Sequence, residues 1–164
     1  MRILAIDPGT TQSGWCVLDG SSVSLCGVME NREMLRMLTM QRRSDPWEHT
    51  LAIEMIASYG MAVGREVFET CVWIGRFVQA WHSPEAARMV YRRDVKLHLC
   101  GTTQAKDANV RQAIVDLFPR TGGGKTPQVG TKKQPGPLYG VSSHAWSALG
   151  VALTARHQME RAAA

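Results

Sequence analysis

Residues 2–6 form a short apolar run, Ile3-Leu4-Ala5-Ile6 after Arg2, which stops at Asp7 and enters the turn-forming stretch Pro8-Gly9-Thr10-Thr11-Gln12-Ser13-Gly14. This pattern predicts a buried strand that feeds a tight loop. Residues 15–18 and 23–29 read as a second and third strand, with Asp19-Gly20 as the hairpin turn between them. Asn31 is positioned to cap a helix over residues 31–40, because Met34, Leu35 and Leu38 recur at helical spacing and Glu33 sits in the first turn. The polar stretch 41–49, with Asp45-Pro46, is expected to stop it. Residues 50–56 are a fourth strand, apolar on both faces apart from Glu54. Val63, Val67, Phe68, Cys71, Val72, Ile74, Phe77, Val78 and Trp81 outline a long amphipathic helix over 60–81. A short fifth strand at 89–91 is followed by a helical turn at 94–99 that ends at Gly101. Residues 105–118 and 143–157 are predicted helices, the second strongly apolar.

This order gives an α/β fold with a five-stranded mixed sheet, its first three strands antiparallel, and helices on both faces. A chain of 164 residues buries one good core, so residues 1–164 are expected to form a single domain. No apolar run reaches the roughly 18 residues that a membrane span requires. The N-terminal run is too short for a signal-peptide core, which predicts a cytosolic location. Cys16, Cys26, Cys71 and Cys100 include no Cys-x-x-Cys pair, so they read as reduced, buried small hydrophobes and not as a zinc ribbon or disulfide framework.

Charge adds a partner class. Residues 1–85 carry seven Lys and Arg against ten Asp and Glu, whereas residues 86–164 carry twelve against four. A basic surface built from the second half points to a polyanion such as nucleic acid. Residues 120–140 concentrate that character: six Gly, three Pro, three Lys, one Arg and no acid, the composition of a mobile basic loop.

Two carboxylates occupy strand positions where burial makes charge costly: Asp7 at the end of the first strand and Glu54 inside the fourth. An edge strand that turns Glu54 to solvent, with Asp7 capping its own loop, would account for both. So would adjacent strands whose acids converge on a divalent cation. His144 stands at the start of the last helix, with Ser143 as N-cap and Ser147 one turn on. Asp7-Pro8-Gly9-Thr10-Thr11 also resembles the first phosphate loop of actin-like ATPases, but the chain is too short for their second domain. Gly122-Gly123-Gly124-Lys125-Thr126 lacks the first glycine and the strand of a P-loop.

Taken together, residues 3–15, Ile53-Glu54, residues 105–110 and residues 143–152 resemble, in order, four segments of the RuvC-like Holliday junction resolvases, a branch of the RNase H-like nucleases. The Gly-rich basic segment is most similar to that of phage-encoded members. The resemblance implies an RNase H-like fold and a metal-dependent endonuclease that cuts Holliday junctions and other branched DNA as a homodimer. It implies Mg²⁺, replaceable by Mn²⁺, with two ions per site held by Asp7, Glu54 and His144. One position departs from the pattern: where the last helix usually presents a second acid, this chain has Ser147. A hydroxyl is a poor Mg²⁺ ligand, so that position is weakened, filled by water, or supplied by another acid, of which Asp107 is nearest in context.

Two cations would activate water and stabilise the leaving oxygen, while an imidazole such as His144 can also shuttle protons near neutrality. Lys96, Lys106, Arg111, Lys125, Lys132 and Lys133 are candidate phosphate contacts, and Tyr139 or Phe118 a candidate stacking surface for an unpaired base. Two other readings remain: a branched-DNA binding protein whose site is catalytically impaired at Ser147, and an RNase H-like nuclease acting on structured RNA.

Overall fold

The computed structural model describes residues 1–44 and 49–163. The strands are β1 (Arg2–Asp7), β2 (Gln12–Asp19), β3 (Ser22–Glu30), β4 (His49–Met55) and β5 (Arg88–Tyr91). The helices are α1 (Asn31–Ser44), α2 (Arg65–Ala80), α3 (Arg92–Cys100), α4 (Asp107–Asp116) and α5 (Ala145–Ala163), with one short 3₁₀ turn at Pro84–Ala86. α1 runs on to Ser44, past the expected end at residue 40, while the Asp45-Pro46 part of the expected stop lies outside the described residues.

The five strands form one mixed sheet in the order β3-β2-β1-β4-β5. β1, β2 and β3 are antiparallel neighbours, while β4 runs parallel to both β1 and β5. Side chains alternate across a strand, so β1 divides its residues between two cores. Leu4 and Ile6 join Leu51 and Ile53 against Met34 and Leu38 of α1 and Phe77 of α2. Ile3 and Ala5 join Ala52 and Val90 on the opposite face, under α3, α4 and α5. Each fully buried Leu or Ile contributes about 1.5–3 kcal/mol, which is why apolar runs dominate β1 and β4.

α5 lies close over that second face because small residues line it. Ala145, Ala148, Ala152 and Ala155 are fully buried. A side chain added at Gly150 would come within 3.1 Å of Val95 on α3. Among the described residues no helix is long and apolar enough to cross a membrane.

Several boundaries differ from the sequence expectation. α2 begins at Arg65 and not at residue 60, because Tyr59 (φ 48°) and Gly60 (φ 85°) adopt left-handed conformations that no helix can pass through. β2 and β3 extend beyond their apolar stretches, since ladder pairing reaches Gln12–Glu30 at one end and Asp19–Ser22 at the other. The turn expected at 94–99 is a nine-residue helix, closed by Gly101 at φ 70°. α5 starts at Ala145, so Ser143 is not its N-cap and instead holds φ 46°.

Residues 120–140 form no helix, yet their backbone is tied to itself. Gly122 N–H donates to Pro127 O, Gly123 N–H to Gln134 O, and Leu138 N–H to Gln128 O. Leu138 plugs into the core under α5. A Cβ on Gly136 would lie 2.2 Å from Pro127 O, so glycine is required here by backbone crossing backbone.

Candidate active site

The register carries Asp7 and Glu54 to the same place. Ile6 of β1 pairs with Ile53 of β4, and one residue further along each parallel strand stand the two acids. Alternation puts both on the face that α5 covers, with Ala5 and Ala52. Both side chains are largely enclosed, and they are hydrogen-bonded to each other. Burial first, and then the negative charge of Asp7, pushes the Glu54 carboxyl up to about 8. Burial also raises Asp7, against the hydrogen bond from Glu54, the neighbouring His144 side chain and the positive charge of Arg92. In the folded chain, therefore, the carboxyl pair holds a proton into the neutral range.

His144 immediately precedes α5, and its Nδ1 lies 3.4 Å from Asp7 Oδ2. Gly14 makes this approach possible. It sits opposite Asp7 in the β1–β2 ladder, and a Cβ there would fall 2.4 Å from the His144 backbone. The left-handed Ser143 aims the chain into that gap, at a cost of about 1 kcal/mol for a non-glycine residue.

The loop behind Asp7 is braced by Asn31. Its amide donates to Gly9 O at 2.8 Å and accepts from Ser13 Oγ at 2.6 Å, while its own N–H donates to Thr11 O. Asn31 does more than start α1, and the polar pair Ser13–Asn31 is fully buried.

Arg92, the first residue of α3, is a member of the site that periodicity does not reveal. Its Nε lies 3.8 Å from Glu54 Oε1, and its Nη2 donates to Asp107 Oδ1. The available signal is positional: Arg92 follows β5 directly, at the sheet end where parallel β4 delivers Glu54. Asp107 is drawn below its usual value, chiefly by that hydrogen bond. It faces Arg92 and does not enter the Asp7–Glu54 pair. Ser147 lines a cleft of about 420 Å³ with Arg92, Asp107, Arg111, His144 and Trp146. A smaller cleft of about 190 Å³ is walled by Asp7, Glu54, Tyr59 and Arg92.

These donors fit one divalent ion. Two hydrogen-bonded carboxylates that would lose their shared proton to a cation make an oxygen site of the kind Mg²⁺ takes with one or two acids and water. Among the described residues no group of three or more His, Cys, Asp or Glu side chains is arranged around a common metal position.

Two of the basic candidates, Arg111 and Lys125, share a cleft. Lys106, at the N-cap of α4, and Arg111 are exposed, and Arg111 stacks 4.7 Å over the Trp146 ring. A cleft between α4 and the Gly-rich loop holds Arg111, Lys125 and Thr131. Lys132, Lys133 and Tyr139 are exposed on that loop, and Lys96 is half-buried on α3, its charge acting on Asp107. Phe118 is 6% exposed and belongs to the core under α5, so it offers no stacking face.

No protein-family model matches this sequence, and no curated protein does. Solved structures share its architecture, and two of them are RuvC from Thermus thermophilus. Thermus thermophilus RuvC aligns with TM-score 0.62 at 19% identity, over 94% of this chain and 92% of that one. T. thermophilus RuvC in complex with Holliday junction substrate aligns with TM-score 0.63 at 20% identity, over the same shares. At such identities the likeness speaks to architecture: this chain has the RuvC fold, an RNase H-like five-stranded mixed sheet with its first three strands antiparallel.

Proposed function

We propose that this protein is a metal-dependent endonuclease that cleaves Holliday junctions and other branched DNA. The observation that carries the reading is the hydrogen-bonded pair Asp7–Glu54 at the ends of two parallel strands, with His144 3.4 Å from Asp7. Support comes from the neighbouring structure, which by its description is RuvC bound to Holliday junction substrate.

In this reading Asp7 and Glu54 hold a divalent ion, Mg²⁺ or Mn²⁺, with His144 at its side. The ion supplies Lewis-acid stabilisation of charge on the scissile phosphate. Asp7 fixes the imidazole through Nδ1, leaving Nε2 to give or take a proton. Lys106, Arg111, Lys125, Lys132 and Lys133 neutralise backbone phosphates, and Tyr139 stacks on an unpaired base. Lys96 contributes from α3.

Two sites are needed to nick opposed strands, and α2 supports a homodimer: Phe68 and Val72, one turn apart, are 62% and 60% exposed. Sedimentation at micromolar concentration is expected to give the mass of two chains, and a monomer would remove this part of the proposal.

Ser147 favours a second reading, a branched-DNA binding protein that has lost catalysis. Incubation with a four-way DNA junction in Mg²⁺ and in Mn²⁺ separates the two. Nicking supports the nuclease, whereas binding without any cut supports the second reading. Cleavage of structured RNA in preference to the junction would redirect the substrate assignment.

A further inference from the structure

Before any metal ion arrives, the carboxylate pair already has a fixed cation. Arg92 forms the wall shared by the two clefts. Its guanidinium is half-buried, with Nε 3.8 Å from Glu54 Oε1 and Nη2 on Asp107. A guanidinium does not deprotonate in a protein, and here two carboxylates, Glu54 and Asp107, face it. Nη1 is enclosed and has no hydrogen-bond partner among the described residues. An enclosed donor without an acceptor is uncommon and signals a partner still to come.

The acids around it are already committed. Asp107 holds the guanidinium, Glu54 and Asp7 are the two ligands of the first ion, and Ser147 brings no charge to the larger cleft. A second divalent ion would add like charge beside this guanidinium with no further carboxylate to offset it.

We propose that Arg92 is the permanent second cation of this centre, so that each chain binds one divalent ion and the guanidinium takes up the phosphate charge that another ion would otherwise bear. Its planar fork suits a phosphate's paired oxygens, which a lysine reproduces only as a point charge. This inference rests on the nuclease reading and revises the expectation of two ions per site.

The test is calorimetric titration of Mn²⁺ into the full chain without DNA, joined to junction cleavage. The wild type is expected to take one Mn²⁺ per chain, and the double variant Arg92→Gln, Ser147→Asp to take two. Arg92→Gln alone should slow cleavage about 100-fold, with junction affinity retained, as the loss of one charge-stabilising donor does elsewhere. Arg92→Lys should recover part of the rate, and Asp107→Asn should lower it in the same direction. Thermal melts establish that each variant is folded.

A wild type that cuts junctions and binds two Mn²⁺, or an Arg92→Gln variant that cuts at the wild-type rate, overturns the role of Arg92 and leaves the nuclease reading intact. One Mn²⁺ per chain with no cleavage overturns the nuclease reading and upholds the one-ion centre. No Mn²⁺ uptake overturns both.

Discussion

At the scale of single residues, Glu54 links the site to folding stability. An unprotected Glu releases its proton near 4.5, whereas the folded chain holds it up to about 8. Between those values the folded state binds more protons than the unfolded state, so stability falls as pH rises through that window. Asp7 is shifted in the same direction. The metal-free protein is therefore expected to lose melting temperature from about pH 5 to about pH 8 relative to Glu54→Gln, and Mg²⁺ should restore it at the upper end. Parallel melting curves for the two proteins would contradict a shared proton. Asp7 and Glu54 were legible in the sequence, because an acid within an apolar strand must be compensated. Arg92 was not, because an arginine in the first turn of a helix ordinarily reads as a solvated side chain; its role depends on β5 ending where β4 delivers Glu54.

At the scale of elements, the site depends on how closely α5 approaches the sheet. Gly14 is the gap in β2 through which His144 reaches Asp7. Gly14→Ala is expected to push the start of α5 outward and to destabilise the protein by about 1–3 kcal/mol, as overpacking of a filled core does. Urea denaturation checks this, and unchanged stability together with unchanged metal binding would show that the gap is not needed. The apolar runs made β1 and β4 readable, because a strand buried on both faces has few other solutions; β5 is an edge strand in which Val90 alone is buried. The start of α2 was not readable. Val63 continues the helical spacing but is exposed, and the backbone turns at Tyr59 and Gly60 override the pattern. Asn31 was readable as a helix start, yet its work in bracing the Asp7 loop comes from the tertiary pairing with Gly9 and Ser13.

At the scale of the whole molecule, charge and site are arranged around one another. The carboxylate pair lies at one end of the sheet, while exposed Arg111 and Lys125 line a cleft beside α4, and Lys106 stands at the start of that helix. Replacing Lys125, Lys132 and Lys133 with Ala should weaken junction binding and lower the slope of log affinity against log salt by about 2 to 3, since each duplex phosphate contact contributes roughly 0.9. An unchanged slope would detach the Gly-rich loop from DNA. The central claim is tested most directly by cleavage of a four-way DNA junction in Mg²⁺ by the wild type and by Asp7→Asn. The account predicts that the wild type nicks the junction and is stopped by a chelator, and that Asp7→Asn binds it without cutting. Cleavage that survives either the substitution or the chelator would contradict it.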